Sequence, residues 1–211
     1  MVRVSLKTSQ VIKLMWSEKY RPQIISDMVG NEEPRAAIME WFAKWKKGTK
    51  PLLLVGPPGI GKTTMAYLVA KQFGYDMIGL NASDVRSKSR INEILTPVLG
   101  NVSVLGIPMI FVDEVDGIHG RGDYGGAAAL VDILKEPTVP IVLAANDDSL
   151  EKMKNIKKVV KTISFKRIPP RLLRVYLENI LKKESVKLSP GSLIKVIDKS
   201  RGDIRSMINL T

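Results

Sequence analysis

The 211-residue chain carries 33 Lys and Arg against 21 Asp and Glu, for a net charge of +12. It is 45% apolar and 26% charged, the balance of an ordinary globular protein able to bury one good core and a small second lobe. With no cysteine and a single histidine, His119, it has neither a disulfide framework nor a thiolate metal centre, and a His-based metal site or catalytic triad is not expected. No apolar run approaches the ~20 residues that span a bilayer, and Met1 to Met15 intersperses Arg3, Lys7 and Lys13 among isolated apolar residues rather than forming a signal-peptide core. The expected setting is cytoplasmic and reducing, away from membranes.

In chain order, Asn31 to Gly48 is expected to be a helix, with Asn31 as N-cap, Pro34 in the first turn and Gly48 closing the end. Ile38, Trp41, Phe42 and Trp45 then share one apolar face. Pro51 to Val55 reads as a buried strand, followed by a glycine-rich loop and a helix to Phe73. Met77–Leu80 is a strand, and Ser89–Leu99 a helix that Pro97 is expected to end or bend early. Met109–Val112 is a strand, Gly125–Lys135 a helix, and Val139–Ala145 and Val159–Phe165 two more strands. Strands alternate with helices and read apolar on both faces. This predicts an α/β fold, a parallel five-stranded sheet covered by helices, over residues 1–165. Past Phe165 the pattern turns helical: Leu172, Leu173, Tyr176, Leu177, Ile180 and Leu181 follow Pro169-Pro170 at helical spacing, and Ser192–Lys199 and Asp203–Leu210 are two more short helices. Residues 166–211 are expected to form a small all-helical lid.

The most informative stretch is Gly56-Pro57-Pro58-Gly59-Ile60-Gly61-Lys62-Thr63-Thr64, set between a strand and a helix. Glycines there let backbone N–H groups turn inward around phosphates, and the following helix adds the positive end of its dipole. Lys62 is expected to reach the β- and γ-phosphates, and the Thr63 hydroxyl to ligate Mg²⁺. Phe111-Val112-Asp113-Glu114 is an apolar strand ending in two acids. Asp113 is the second expected Mg²⁺ ligand, and Glu114 the group that polarises an attacking water. Asn146, at the end of the next strand, is placed to reach the γ-phosphate or that water. Arg205, in Gly202-Asp203-Ile204-Arg205, is a candidate to touch the γ-phosphate from the lid.

Charge is uneven along the chain. Residues 1–150 hold 17 Lys and Arg against 16 Asp and Glu, whereas residues 151–211 hold 16 against 5, a net of +11. A polyanionic partner and a set of solvated helix faces both account for this.

Taken together these motifs resemble the AAA+ ATPases, and within them the clamp loaders. Glu18-Lys19-Tyr20-Arg21-Pro22 followed by Met28-Val29-Gly30-Asn31 is similar to the clamp-loader segment that lines the adenine pocket, which implies Tyr20, Arg21, Pro22, Val29 and Gly30 there. Leu80-Asn81-Ala82-Ser83-Asp84, Ala144-Ala145-Asn146 and Gly202-Asp203-Ile204-Arg205 resemble later motifs of that family, the last two its sensors 1 and 2. The stretch Asp113 to Gly120, with Gly125-Gly126 opening a helix, is similar to the large-subunit type.

The resemblance implies ATP and Mg²⁺ as ligands, small clamp-loader subunits and a sliding clamp as partners, and primer–template DNA as the nucleic acid. It implies DNA contacts from Arg86, Lys88, Arg90 and Arg121, each equally readable as a solvated surface charge. Small subunits of this family carry an arginine finger in the region corresponding to Asn155–Val160, and no arginine lies there in this chain. The chain is thus expected to receive a finger rather than donate one, and to be slow in isolation. The family also has a helical collar after the lid, so a chain ending at Thr211 is expected to be a fragment or one piece of a split subunit. A different AAA+ machine (a branch-migration helicase or replication initiator), a non-hydrolysing ATP-binding scaffold and a small-molecule kinase are the alternative readings.

Overall fold

A computed structural model describes residues 15–81, 84, 87–100, 106–118, 125–149 and 151–211. In chain order its elements are α1 (Trp16–Lys19), α2 (Glu32–Ala43), β1 (Leu52–Val55), α3 (Lys62–Phe73), β2 (Tyr75–Asn81), α4 (Lys88–Gly100) and β3 (Ile107–Asp113). These are followed by α5 (Gly126–Lys135), β4 (Ile141–Ala145), α6 (Lys154–Val159), β5 (Lys161–Ser164), α7 (Pro170–Lys183), α8 (Pro190–Ser200) and α9 (Ile204–Asn209). The five strands form one all-parallel sheet in the order β2-β3-β4-β1-β5. The expected fold class holds: helices cover both faces of the sheet, and a helical region follows it.

Alternation along the strands divides the core in two. Leu53, Val55, Ile110, Val112, Leu143 and Ala145 face α4, α5 and α6. Leu52, Leu54, Met109, Phe111, Val142 and Ala144 face α2 and α3. Every residue of β1 and β4 is buried because each lies between two strands and two helical layers. The edge strands differ from the expectation of apolar faces. In β5, Lys161, Thr162 and Ser164 are exposed and Ile163 alone is buried; in β2 only Leu80 is buried. A strand with one free edge and partial helix cover does not need two apolar faces.

A third apolar cluster joins α7, α8 and α9 through Leu173, Leu177, Ile180, Leu193, Ile197 and Met207. Trp16, Tyr20 and Val29, from the start of the chain, pack against it, whereas the intervening Ile25 and Met28 pack with the sheet-side cluster. The segment from Trp16 to Val29 therefore bridges the sheet and the last three helices.

Several expected boundaries shift. Helix α2 stops at Ala43, not Gly48, where the chain turns back through a Lys46–Thr49 turn and the Trp41 indole N–H donates to the Lys50 carbonyl (3.0 Å). Helix α4 continues to Gly100 rather than ending early at Pro97. The expected strand from Val159 begins only at Lys161, because α6 occupies the chain up to Val159. Asn31 precedes α2 but does not cap it. Its backbone is left-handed (φ 54°), and its amide pairs with the Lys166 backbone, Nδ2 donating to the carbonyl (3.0 Å) and Oδ1 accepting from the N–H (2.8 Å). No helix among the described residues is long and apolar enough to cross a membrane.

Candidate active site

The strand register brings the site to the carboxyl end of the sheet. Val55 at the end of β1 is opposite Ala145 at the end of β4, and Asp113 ends β3 on the far side of β4. The loop after β1, the Asn146 after β4 and the acids after β3 therefore converge at the carboxyl ends of three adjacent parallel strands, the position where open α/β sheets bind ligands.

Lys62, the first residue of α3, is 7% exposed. Its ammonium donates to the Gly56 carbonyl, to the Pro57 carbonyl (2.9 Å) and to Asn146 Oδ1 (3.0 Å). Burial lowers its pKa, and the carboxylates of Asp113, Asp116, Asp203 and Glu114 pull it back up. Thr63 Oγ1 donates to Asp113 Oδ2 (2.8 Å), and Asp113 Oδ1 accepts from the Glu114 N–H (3.0 Å). Glu114 is exposed with a left-handed backbone (φ 54°), uncommon for a non-glycine residue and shared among the described residues with Asn31, Ser185 and Arg201.

An alcohol and a carboxylate held side by side are hard oxygen donors that suit Mg²⁺. No group of three or more His, Cys, Asp or Glu able to hold a metal exists among the described residues. Thr63 and Asp113 fit Mg²⁺ by their donor chemistry.

One open cleft gathers most of the expected residues. The phosphate loop lines it from Pro58 through Thr64, opposite Asp113, Glu114 and Asn146. Tyr20, Arg21, Pro22 and Val29 line its other end, and the exposed Arg205 enters from α9. Three expected residues stand outside it. Gly56 and Pro57 open the loop and contribute carbonyls to Lys62; Gly30 packs against Ile168 and Leu172.

The rest of the lining goes beyond the residues expected to touch the nucleotide. Ser17, Glu18, Asp27 and Met28 come from the N-terminal segment, Glu18 and Met28 within the motif quoted above, and Tyr176, Ile204 and Ile208 from the helical region. Tyr176, expected at helical spacing with its apolar neighbours, packs partly buried against the third cluster, and its hydroxyl donates to the Tyr20 carbonyl (2.9 Å), tying α7 to the segment that forms the cleft. Tyr20 in turn donates to Glu184 Oε1 (2.8 Å). Ile204 and Ile208 are one turn apart on α9, a spacing legible in the sequence without a hint that it faced a cleft.

Of the four proposed DNA contacts, Lys88 and Arg90 are exposed in the first turn of α4, outside the cleft, with Arg90 Nη1 2.9 Å from Glu93 Oε2. Arg86 and Arg121 lie outside the described residues. Where an arginine finger would sit, α6 presents Lys157, paired with Asp148 (2.7 Å), and Lys158.

Comparison with known proteins agrees with this geometry. Residues 52–185 match the ATPase family associated with various cellular activities (AAA). The chain is 42% identical over 199 residues to the replication factor C large subunit of Thermofilum pendens, covering 92% of this chain and 48% of that protein. It is 36% identical over 208 residues to the replication factor C large subunit of Archaeoglobus fulgidus, covering 93% of this chain and 43% of that protein. The chain spans about half the length of the curated relatives it matches. Among solved structures, a mutant of Thermotoga maritima RuvB aligns over 90% of this chain and 63% of its own, with a TM-score of 0.67 and 18% identity, a likeness of fold. The family match covers more than half of the chain and takes in the phosphate loop, Asp113, Glu114 and Asn146, and the chain belongs to the AAA family of ATPases.

Proposed function

We propose that this chain is the ATPase portion of a clamp-loader large subunit of the replication factor C type. It binds ATP with Mg²⁺ in the cleft and hydrolyses it to help load a ring-shaped sliding clamp onto primer–template DNA. It works with replication factor C small subunits in a hetero-pentamer. The observation that carries this reading is the convergence of Lys62, Thr63, Asp113, Glu114, Asn146 and Arg205 on one cleft, which Tyr20, Pro22, Met28, Val29, Tyr176, Ile204 and Ile208 also line, side chains fit to pack against a base.

Lys62 exchanges its carbonyl partners for the β- and γ-phosphate oxygens and neutralises charge that grows on the leaving oxygen. Thr63 and Asp113 hold Mg²⁺, which screens the triphosphate when bound. Asn146, released from Lys62, orients a water in line with the γ-phosphorus, and Glu114 accepts its proton as the oxygen attacks. The bond to the β–γ bridging oxygen breaks, giving ADP and phosphate. Arg205 reaches the γ-phosphate from α9 and links that helix to nucleotide state. Residues 166–211 act as a lid over residues 1–165. Lys88 and Arg90, with Arg86 and Arg121, meet DNA phosphates without reading sequence. The arginine finger comes from a neighbouring small subunit, so turnover of the chain alone is slow, by about 10³-fold or more.

The test is ATP turnover of the chain assembled with small subunits, sliding clamp and primer–template DNA. Glu114→Gln is expected to lower turnover by about 10²–10⁴-fold while magnesium-dependent ATP binding persists. Unchanged turnover would refute hydrolysis at this cleft and favour an assembly scaffold.

A further inference from the structure

The motif Gly202-Asp203-Ile204-Arg205 contributes Arg205 to the proposed chemistry, but Asp203 has the more extensive contacts. Two ties meet at this residue and a third at its neighbour. Its Oδ1 accepts the Ser206 N–H (2.7 Å), which caps α9. Its carboxylate sits directly on the phosphate loop at Gly59, whose backbone is left-handed (φ 70°), and any Cβ at Gly59 would overlap it. The next residue, Ile204, donates its N–H to the Gly59 carbonyl (3.1 Å). On the other side the same strap is held by the chain that enters α7. The Arg167 guanidinium donates to the Arg201 carbonyl, and the Ile168 N–H donates to the Gly202 carbonyl (3.3 Å). Gly202 is buried (φ 87°), with no room for a Cβ beside Arg167.

Asp203 is thus clamped between the loop that cradles phosphate and the start of the helical region. Arg205 lies two residues further on in α9, exposed but lining the cleft, and its guanidinium makes no hydrogen bond or ion pair among the described residues. Among those residues, only the seating of α9 beneath it holds the guanidinium in place.

The geometry points to Asp203 as the positioning residue of this site: seated on Gly59, it sets where α9 presents Arg205 to the γ-phosphate end of the cleft. This rests on the ATP reading of the cleft and adds to it the coupling between phosphate loop and lid. Shape and hydrogen bonding carry the role. Asparagine keeps both the cap and the atoms over Gly59, serine keeps only the cap, and alanine keeps neither.

The test is a double-mutant cycle on the 211-residue chain, reading ATP and ADP affinity by calorimetry in Mg²⁺. In the wild-type background, Arg205→Ala is expected to weaken ATP about tenfold and ADP less than about twofold. In the Asp203→Ala and Asp203→Ser backgrounds the same change is expected to alter ATP affinity by less than about twofold, because the guanidinium is already misplaced. In the Asp203→Asn background the full effect of about tenfold is expected to return. Asp203→Ser retains a good helix cap and guards against a folding defect in the alanine variant. A persisting tenfold effect in the serine background would overturn the assignment, since capping alone would then suffice. Loss of the effect in the asparagine background would overturn it as well. A wild-type chain that binds no ATP in Mg²⁺ would sink both the cleft reading and this one; firm ATP binding with additive effects would sink only the role given to Asp203.

Discussion

Lys62 makes hydrogen bonds to two backbone carbonyls and to Asn146, yet it is a charge removed from water, and the two facts pull in opposite directions. Burial is the larger influence and holds its pKa below the ordinary lysine value of 10.5, despite four carboxylates that act to raise it. Between that lowered value and 10.5 the unfolded chain binds more protons at this position than the folded one. The contribution of Lys62 to stability without nucleotide therefore rises with pH across that window. ATP affinity follows the opposite slope, because a neutral amine cannot pair with phosphate. Subtracting the thermal midpoint of Lys62→Met from that of the wild type, across an alkaline pH series, isolates the first effect. Calorimetric ATP titrations over the same series read the second. Parallel slopes would show that the ammonium is not the group that meets the triphosphate.

At the scale of elements, the five strands, the phosphate loop and the longer helices were legible because they are local: apolar runs, glycine spacing and helical periodicity act within about ten residues. The short α1 and α6 were not, since four and six residues are too few to show a period. What was not legible depended on partners far along the chain. Asn31 carries every sign of an N-cap, but its amide is used by Lys166, 135 positions away. Tyr176 has the spacing of a core residue, but its hydroxyl finds a carbonyl 156 positions away. Exposed Lys161 and Ser164 in β5 reflect an edge place in the sheet that no strand states about itself. The Asn31 pairing also gives a prediction. Two hydrogen bonds join the start of α2 to the chain leaving β5, and the left-handed backbone disfavours a Cβ-bearing residue without a polar side chain. Asn31→Ala is expected to lower unfolding free energy by about 1–3 kcal/mol in urea. Asn31→Gly loses the same bonds but tolerates the backbone, so it is expected to lose about 1 kcal/mol less. Equal losses would show that the backbone contributes nothing there.

On the scale of the whole molecule, the cleft has walls from two apolar clusters. Met28 and Ile60 belong to the sheet-side cluster, while Tyr20, Val29, Tyr176, Ile204 and Ile208 belong to the helical one. A nucleotide seated across both stabilises both, whereas an anion held by the phosphate loop alone stabilises only the sheet side. The three tryptophans report on the two clusters separately: Trp16 packs with the helical cluster, and Trp41 and Trp45 with the sheet-side one. Variants retaining only Trp16 or only Trp41, with phenylalanine at the other two positions, then give one fluorescence probe per cluster. At a hundredfold excess of ATP–Mg²⁺ over its dissociation constant the folded state gains about 2.7 kcal/mol. For a chain of this size that is roughly 5–10 °C in thermal midpoint. Both probes are expected to move by that amount and to coincide. Inorganic phosphate, which reaches only the loop, is expected to move the Trp41 transition more than the Trp16 transition. If ATP moved Trp41 and left Trp16 in place, the helical wall would take no part in holding the nucleotide. The tie from Tyr176 to Tyr20 would then serve the fold and not the ligand.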